Sequence, residues 1–359
     1  MYEIILNKND VPIYGSITNE FAPTTYDLPY GDYVILDYQD GSKGVPEYDL
    51  ISHTISGLEL LKEFKCVNIV LSYHAEAIHS NHWISIINKV KEYGYEKVVV
   101  LDGGLNLTIK VPGIKLHHVM SDCLINIYDE PTIVFPRTKL YSCLTRKLRN
   151  NRLLMISELY RRKLNYSGNI TCGWSEEDQH LYDNPDIIKH IPDNLKLLLP
   201  ISIGTPDNHL GIVRLEPEMY RTVFNLVLES NAAPELYSQT PLIETTSDRH
   251  FLTEKTIKAF VLGQIPIILA LPGFVNELRT LGFDMFDDVV NHDYDDIIDI
   301  QARVQSIANR ISKVGRITIP AWNSYLIKHM PRLIKNYQLT QTLALKCHSN
   351  LIDSVNHFK

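Results

Sequence analysis

Short continuous apolar runs alternate with longer periodic stretches along the first third of the chain. Tyr33–Leu36, Cys66–Leu71 and Lys97–Leu101 are rich in Val and Ile, which predicts parallel strands buried on both faces. Leu58–Phe64 and Trp83–Tyr93 lie between them and carry helical patterns. In the second, Trp83, Ile86, Ile87 and Val90 fall at i, i+3, i+4 and i+7, one apolar stripe. Strand–helix–strand order predicts right-handed crossovers and an open parallel sheet. Leu101-Asp102-Gly103-Gly104 then falls at a strand's carboxyl end, where such sheets hold ligands.

A second unit is expected from Arg137, dividing the chain into residues 1–136 and 137–359. Lys139–Leu144 reads as a strand and Arg149–Arg162 as a helix, with Leu153, Ile156, Leu159 and Tyr160 on one side. Lys196–Pro200 and Glu216–Leu228 read as a strand and a helix. Thr253 is placed to cap a helix running to Leu262, with Gly263 in the left-handed position beyond its end. Ile265–Leu271 is a strand, Pro272-Gly273 a turn, and Val275–Leu281 a helix closed by Gly282. This tight β-α-β-α wiring suits the nucleotide-binding half of a Rossmann-like domain. From Asp295 the tail is mainly helical and free to pack back on the first domain.

A chain of 359 residues is long enough for two α/β domains. The N-terminus has no basic stretch leading into a long apolar run. No apolar run reaches the ~18–20 residues that span a bilayer, so a cytoplasmic protein is expected. Five scattered cysteines without a CxxC pair give neither a disulfide framework nor a structural zinc site. The net charge of −7 is unlike that of a non-specific nucleic-acid binder. A local basic groove survives that total, because binding depends on charge near the ligand. Lys139 to Lys163 gathers Lys139, Arg146, Lys147, Arg149, Arg152, Arg161, Arg162 and Lys163 around a single acid, Glu158.

A nucleotide-sugar enzyme needs cations and helix N-termini for the diphosphate, a carboxylate for the ribose, and a general base for the acceptor hydroxyl. The segment from Glu244 to Thr256 offers such groups. Glu244 follows the apolar Leu242-Ile243, and Glu254 and Lys255 fall in the first turn of the next helix. Lys255 adds a full charge where free N–H groups already point. Glu254 is within reach of ribose hydroxyls or of a developing positive sugar ring. Read by physics alone, the pattern equally suits an acidic first turn with a solvated lysine.

Glu-x9-Glu-Lys, followed by Gly263-Gln-Ile-Pro-Ile and Pro272-Gly273, resembles the donor-binding signature of the α1,3-fucosyltransferase family. It is similar also to phage-encoded glycosyltransferases with a Thr-Glu-Lys-Thr motif ahead of a helix like Leu278-Arg279-Thr280-Leu281-Gly282-Phe283. The match covers Glu244–Asp288. Cys143-Leu-Thr-Arg146-Lys-Leu-Arg149-Asn-Asn-Arg152 resembles a second block of the phage enzymes, departing at Asn151, where they often have His. The resemblance implies a glycosyltransferase of the GT-B fold class, α/β, with two Rossmann-like domains facing a central cleft. It implies donor contacts from Arg146, Arg152, Glu244, Glu254 and Lys255, with Arg152 matching the family's diphosphate-binding arginine more securely than Arg146. An arginine fork suits a diphosphate because it donates two parallel hydrogen bonds.

The family's base is a first-domain glutamate after an early strand. Asp40, Glu76 and Asp102 each follow an apparent strand here; the first two rank ahead of the third. His74, His79 and His82, spaced five then three, match no zinc pattern. Asp293-Tyr-Asp-Asp reads as the capped start of a helix. No metal site and no cofactor beyond the nucleotide sugar is expected. The phage likeness implies an inverting transfer of a sugar, from a UDP- or GDP-sugar, to a 5-hydroxymethylated pyrimidine in DNA, a base flipped out of its duplex. The fucosyltransferase likeness implies a cell-surface glycan instead. Arg161, Arg162 and Lys163 lie about two to three turns beyond the expected diphosphate site and either face solvent or follow a second polyanion such as DNA.

Overall fold

The computed structural model describes residues 3–6, 12–15, 33–40, 43–44, 49–73, 80–102, 104, 114–118, 133–145, 149–173, 189, 191–196, 198, 221–229, 232 and 250–356. The chain divides into two compact units. One comprises Met1–Asn126, Tyr237–Leu252 and Thr342–Lys359; the other comprises Ile127–Leu236 and Thr253–Gln341. Each has its own open sheet with helices, so both units are Rossmann-like α/β structures. Among the described residues no helix is long and apolar enough to cross a membrane.

In the first unit, strands β1 (Glu3–Leu6), β2 (Pro12–Gly15) and β3 (Val34–Asp37) are followed by a small ribbon, β4 (Gln39–Asp40) and β5 (Lys43–Gly44). Strands β6 (Asn68–Tyr73), β7 (Lys97–Asp102) and β8 (Ile114–His118) complete a sheet ordered β1-β2-β3-β6-β7-β8. Only β1 and β2 pair antiparallel; the rest is parallel. Helices α1 (Leu50–Leu61) and α2 (Ser80–Glu92) connect consecutive strands. Because a strand's side chains alternate between faces, Val34, Leu36, Ile69, Leu71, Val98 and Val100 share one face. They form a core with Leu58, Leu61, Trp83, Ile86, Ile87 and Val90 of the helices. Helix α1 starts eight residues before its sequence-predicted start, Leu58. Its buried positions Leu50, His53, Thr54, Gly57, Leu58 and Leu61 follow the helical repeat, but two are polar, and that breaks the stripe for a reader of hydrophobicity.

In the second unit, β9 (Lys139–Thr145), β10 (Gly168–Cys172), β11 (Thr222–Leu228) and β12 (Ile265–Leu269) form an all-parallel sheet ordered β10-β9-β11-β12. Helix α3 (Asn150–Arg161) links β9 to β10, and α4 (Glu254–Val261) leads into β12. Helices α5 (Phe274–Thr280), α6 (Ile300–Val314) and α7 (Ile319–Lys328) follow, and of α8 (Met330–Asn356) the residues up to Gln341 belong to this unit and those from Thr342 to the first. Gly263 has φ +56° and Gly282 φ +99°, the left-handed conformations that end α4 and α5 and that glycine adopts without a Cβ penalty.

Two expectations are overturned here. Thr222–Leu228 is a strand and not part of a helix. All seven of its residues are buried, as a central strand covered on both faces requires, and the β-branched Thr222, Val223 and Val227 favour that state. Lys196 closes a single helical turn, Asp193–Lys196, and does not open a strand; residues 199–200 lie outside the described set.

Candidate functional site

The strand order of the second sheet reverses at its centre. From β9 the chain moves outward to β10 on one side; from β11 it moves outward to β12 on the other. Right-handed crossovers in opposite directions put α3 and α4 on opposite faces of the sheet. Their N-termini therefore flank the reversal at the strands' carboxyl ends, where open α/β sheets leave a crevice for ligands.

Glu229 stands at that point, the first residue beyond β11, and is 2% exposed. Its backbone N–H donates to Leu269 O, at the end of β12, at 3.0 Å, which extends the pairing one residue past the end of β11. Its backbone carbonyl accepts from Asn151 Nδ2 at 2.9 Å, which joins it to the first turn of α3. Its carboxylate accepts from Thr253 Oγ1 at 2.8 and 2.9 Å, from Thr256 Oγ1 at 2.7 Å and from Lys255 Nζ at 3.5 Å. The starts of α3 and α4 are thus both tied to one residue. Thr253 is also the N-cap of α4, accepting the Lys255 backbone N–H at 3.2 Å and Lys255 Nζ at 3.0 Å. The Lys255 side chain keeps a quarter of its surface exposed.

Arg152 sits in the first turn of α3 and is 4% exposed. That helix has no side-chain cap and no acid in its first turn, so its free N–H groups and Arg152 make a positive end. Burial pushes the Cys143 thiol up and the neighbouring Cys172 adds to this, while the Arg152 guanidinium acts in the opposite sense. Helix α4 is also held at its far end. Arg137, 1% exposed, donates through Nη2 to Leu262 O at 2.8 Å and Gly263 O at 3.0 Å. Burial lowers its guanidinium to about 10. Arg303 is 1% exposed and donates to the carbonyls of Ala232, Ala270, Ile297 and Ile298. It gathers the chain just beyond β11 and β12.

Among the expected site residues, the structure brings Arg152 and Lys255 to the two helix starts of this sheet. Glu254 opens α4 in backbone. Arg146, Glu244 and Glu76 lie outside the described residues, and Asp40 is described only as a residue of β4. Asp102 ends β7 and is fully buried. Its carboxylate accepts from Trp83 Nε1 at 2.5 Å and from the Gly104 N–H at 2.6 Å. Glu229 was not foreseen, because its segment read as a helix. The available signal is an acid immediately after a short run rich in apolar residues, Val223-Phe-Asn-Leu-Val-Leu228.

The remaining charged motifs have structural partners. Asp293–Asp296 is one 3-10 turn and does not begin a helix. Asp295 Oδ2 accepts the Asn276 N–H of α5 at 3.1 Å, Asp293 pairs with Arg310, and α6 is capped by Asp299. Arg161 and Arg162 both pair with the buried Glu158, and Arg162 also donates to Asn309. Among the described residues no group of three His, Cys, Asp or Glu is placed to hold a metal ion.

No protein-family model and no curated protein matches the chain. A solved structure, the spinosyn rhamnosyltransferase SpnG, is similar at 11% identity over 83% of this chain and 78% of that one, with a TM-score of 0.38.

Proposed function

We propose that the protein is a glycosyltransferase that binds a nucleotide-sugar donor at the carboxyl edge of its second sheet. The observation that carries this reading is the pair of positive helix starts, α3 with Arg152 and α4 with Lys255, flanking the reversal of strand order. A diphosphate gains negative charge as the sugar departs, and fixed cations with helix N–H groups stabilise that charge without reorganising. The likeness of the Glu-x9-Glu-Lys block assigns Glu244 to the donor and Glu254 to the ribose hydroxyls or the developing positive sugar ring, and the separate Cys143–Arg152 block adds Arg146 beside Arg152 at the diphosphate. No metal or other cofactor takes part in this scheme.

The reaction is an inverting displacement. A first-unit carboxylate takes the proton of the acceptor hydroxyl, the acceptor oxygen bonds the anomeric carbon, and the bond to the diphosphate breaks. Asp40 and Glu76 are the leading bases; Asp102 has both oxygens engaged. The acceptor is either a 5-hydroxymethylated pyrimidine in DNA or a glycan. Glu158, which pairs with both Arg161 and Arg162, offsets one of the two charges that a duplex-binding track along α3 would use.

A thermal-shift panel of UDP-, GDP- and ADP-sugars tests the donor site, since a ligand that binds only the native state raises the melting temperature. One donor class should give a shift that Lys255→Ala abolishes. No shift and no transfer with any donor would reject the reading. Nucleoside mass spectrometry of duplexes with and without 5-hydroxymethylcytosine, beside a free glycan, then identifies the acceptor.

A further inference from the structure

We propose that Glu229 is the positioning residue of the donor site, holding the Lys255 ammonium against the start of its own helix before any ligand arrives. The inference rests on the donor-site reading for its purpose but not for its geometry. Glu229 is 2% exposed, and its two carboxylate oxygens receive three side-chain donors. A buried carboxylate in that state is not available to a ribose or an acceptor hydroxyl, so it acts through its neighbours.

Thr253 links the carboxylate to the lysine. A hydroxyl has one proton to give and two lone pairs to receive with. Glu229 takes the proton, at 2.8 and 2.9 Å. The Thr253 lone pairs are thereby turned toward the Lys255 backbone N–H at 3.2 Å and its ammonium at 3.0 Å. Thr256 Oγ1, at 2.7 Å, fixes the carboxylate from one turn along the helix. The ammonium is folded back over the helix start, 3.5 Å from Glu229 Oε2. An incoming diphosphate meets a cation already localised there and shares it with Glu229. Losing the carboxylate removes one of the contacts that localise the ammonium and the acceptor that orients the Thr253 hydroxyl, so both donor affinity and turnover depend on a residue that touches neither donor nor acceptor.

The test reads Lys255 directly, on the full-length protein without ligand. Amine acetylation by a small activated ester is followed by peptide mass spectrometry, with Lys258 on the same helix as internal reference. In Glu229→Gln, Lys255 should react about fivefold faster while Lys258 keeps its rate, as expected for loss of a charge-assisted hydrogen-bond partner. Thr253→Val should also speed Lys255, and Thr253→Ser, which keeps the hydroxyl, should restore the wild-type rate. A folded Glu229→Gln with unchanged Lys255, a joint rise of Lys255 and Lys258, or equal rates in the two Thr253 variants each overturns the proposal. If Glu229→Gln does not fold, the Thr253 pair decides. If the variants behave as expected but no sugar nucleotide slows wild-type labelling, the positioning role stands and the donor-site reading falls.

Discussion

The two sheets share a parallel core but finish their carboxyl edges in different ways. In the first unit β2, β3, β6, β7 and β8 follow one another in chain order, so each crossover moves the same way and no reversal opens among the described strands. The polar groups at that edge are closed on one another. Asp102 is held by Trp83 and Gly104, Tyr38 Oη meets Thr54 Oγ1 at 2.9 Å, and His53 Nε2 lies 3.0 Å from Asp37 O. In the second unit the order reverses between β9 and β11, and the helices that follow those strands leave on opposite faces. Two helix starts and a buried acid meet there, with a lysine partly open to solvent. Among the described residues, wiring order thus distinguishes the two edges: the second brings two helix starts together where the strand order reverses.

Removing charge from the second edge breaks the contrast most sharply. Lys255→Ala and Arg152→Ala should each cut turnover by ~10²–10³, the cost of deleting a preorganised group that meets developing charge. Both should also lose stability. Lys255→Ala takes the ammonium away from the buried Glu229 carboxylate. Arg152 is 4% exposed, and its loss should lower the melting temperature as well. Steady-state kinetics beside differential scanning fluorimetry checks both; near wild-type turnover in either variant removes that residue from the donor site.

The first edge should respond in stability. Asp102→Ala leaves the Trp83 indole N–H and the Gly104 N–H buried without their carboxylate, a loss of about 1–3 kcal/mol. Urea unfolding measures it. If Asp102→Ala keeps full stability but has no activity, the residue is a base and not a clasp, and the contrast between the edges is wrong.

How far each edge was legible in the sequence follows the same division. Strands β3, β6, β7 and β12 are legible as runs rich in Val, Ile and Leu, and β9 through Leu140, Tyr141, Cys143 and Leu144, because a sheet covered on both faces needs little else. The capped start and glycine stop of α4 were also readable, since Thr253 and Gly263 act within their own few residues. The start of α1 was hidden by the inward-facing His53 and Thr54. Strand β11 was misread because a short buried strand and a buried helix segment share the same apolar composition. That error concealed Glu229. Its partners Asn151, Thr253, Lys255 and Thr256 lie at least 24 residues away in the chain, and long-range convergence of this kind leaves no local periodicity. Asn151, a departure from the phage pattern in sequence, proved to be the residue that ties α3 to Glu229.

A smaller effect concerns pH and belongs to the second unit alone. His292 packs beneath β12, with Nε2 3.3 Å from Pro266 O and Nδ1 3.0 Å from Asp287 Oδ1. Burial lowers its affinity for a proton below the ordinary value of 6.5, and the Asp287 and Pro266 contacts only partly oppose this. The unfolded chain therefore binds the proton first as pH falls. The stability contributed by neutral His292 is complete above the unfolded value and is lost as pH drops through the native one. The Asp287 carboxyl, held down chiefly by Arg279, titrates in a more acid window, so the two are separable. Melting temperature should decline between about pH 7 and the native His292 value, and His292→Gln should flatten that part of the curve. An unchanged slope in the variant assigns the decline to another group.

The smallest expected effect is none at all. Once a donor is identified, turnover should survive excess chelator, because Arg152 and Lys255 with two helix N-termini already supply positive charge at the strand-order reversal. Each helix start contributes roughly half an elementary charge from its free N–H groups, and each side chain a whole one. Less the one negative charge of Glu229, which lies against Lys255, the net is about two charges, of the order that a departing nucleoside diphosphate carries. A divalent cation would compete with Lys255 for the same oxygens. Among the described acids of this unit, Glu229 is engaged by Thr253, Thr256 and Lys255, and Asp293 by Arg310. Activity lost in EDTA and restored by Mg²⁺ or Mn²⁺ would mean that the fixed cations are insufficient, and Lys255→Ala would then have a far smaller effect than the one expected above.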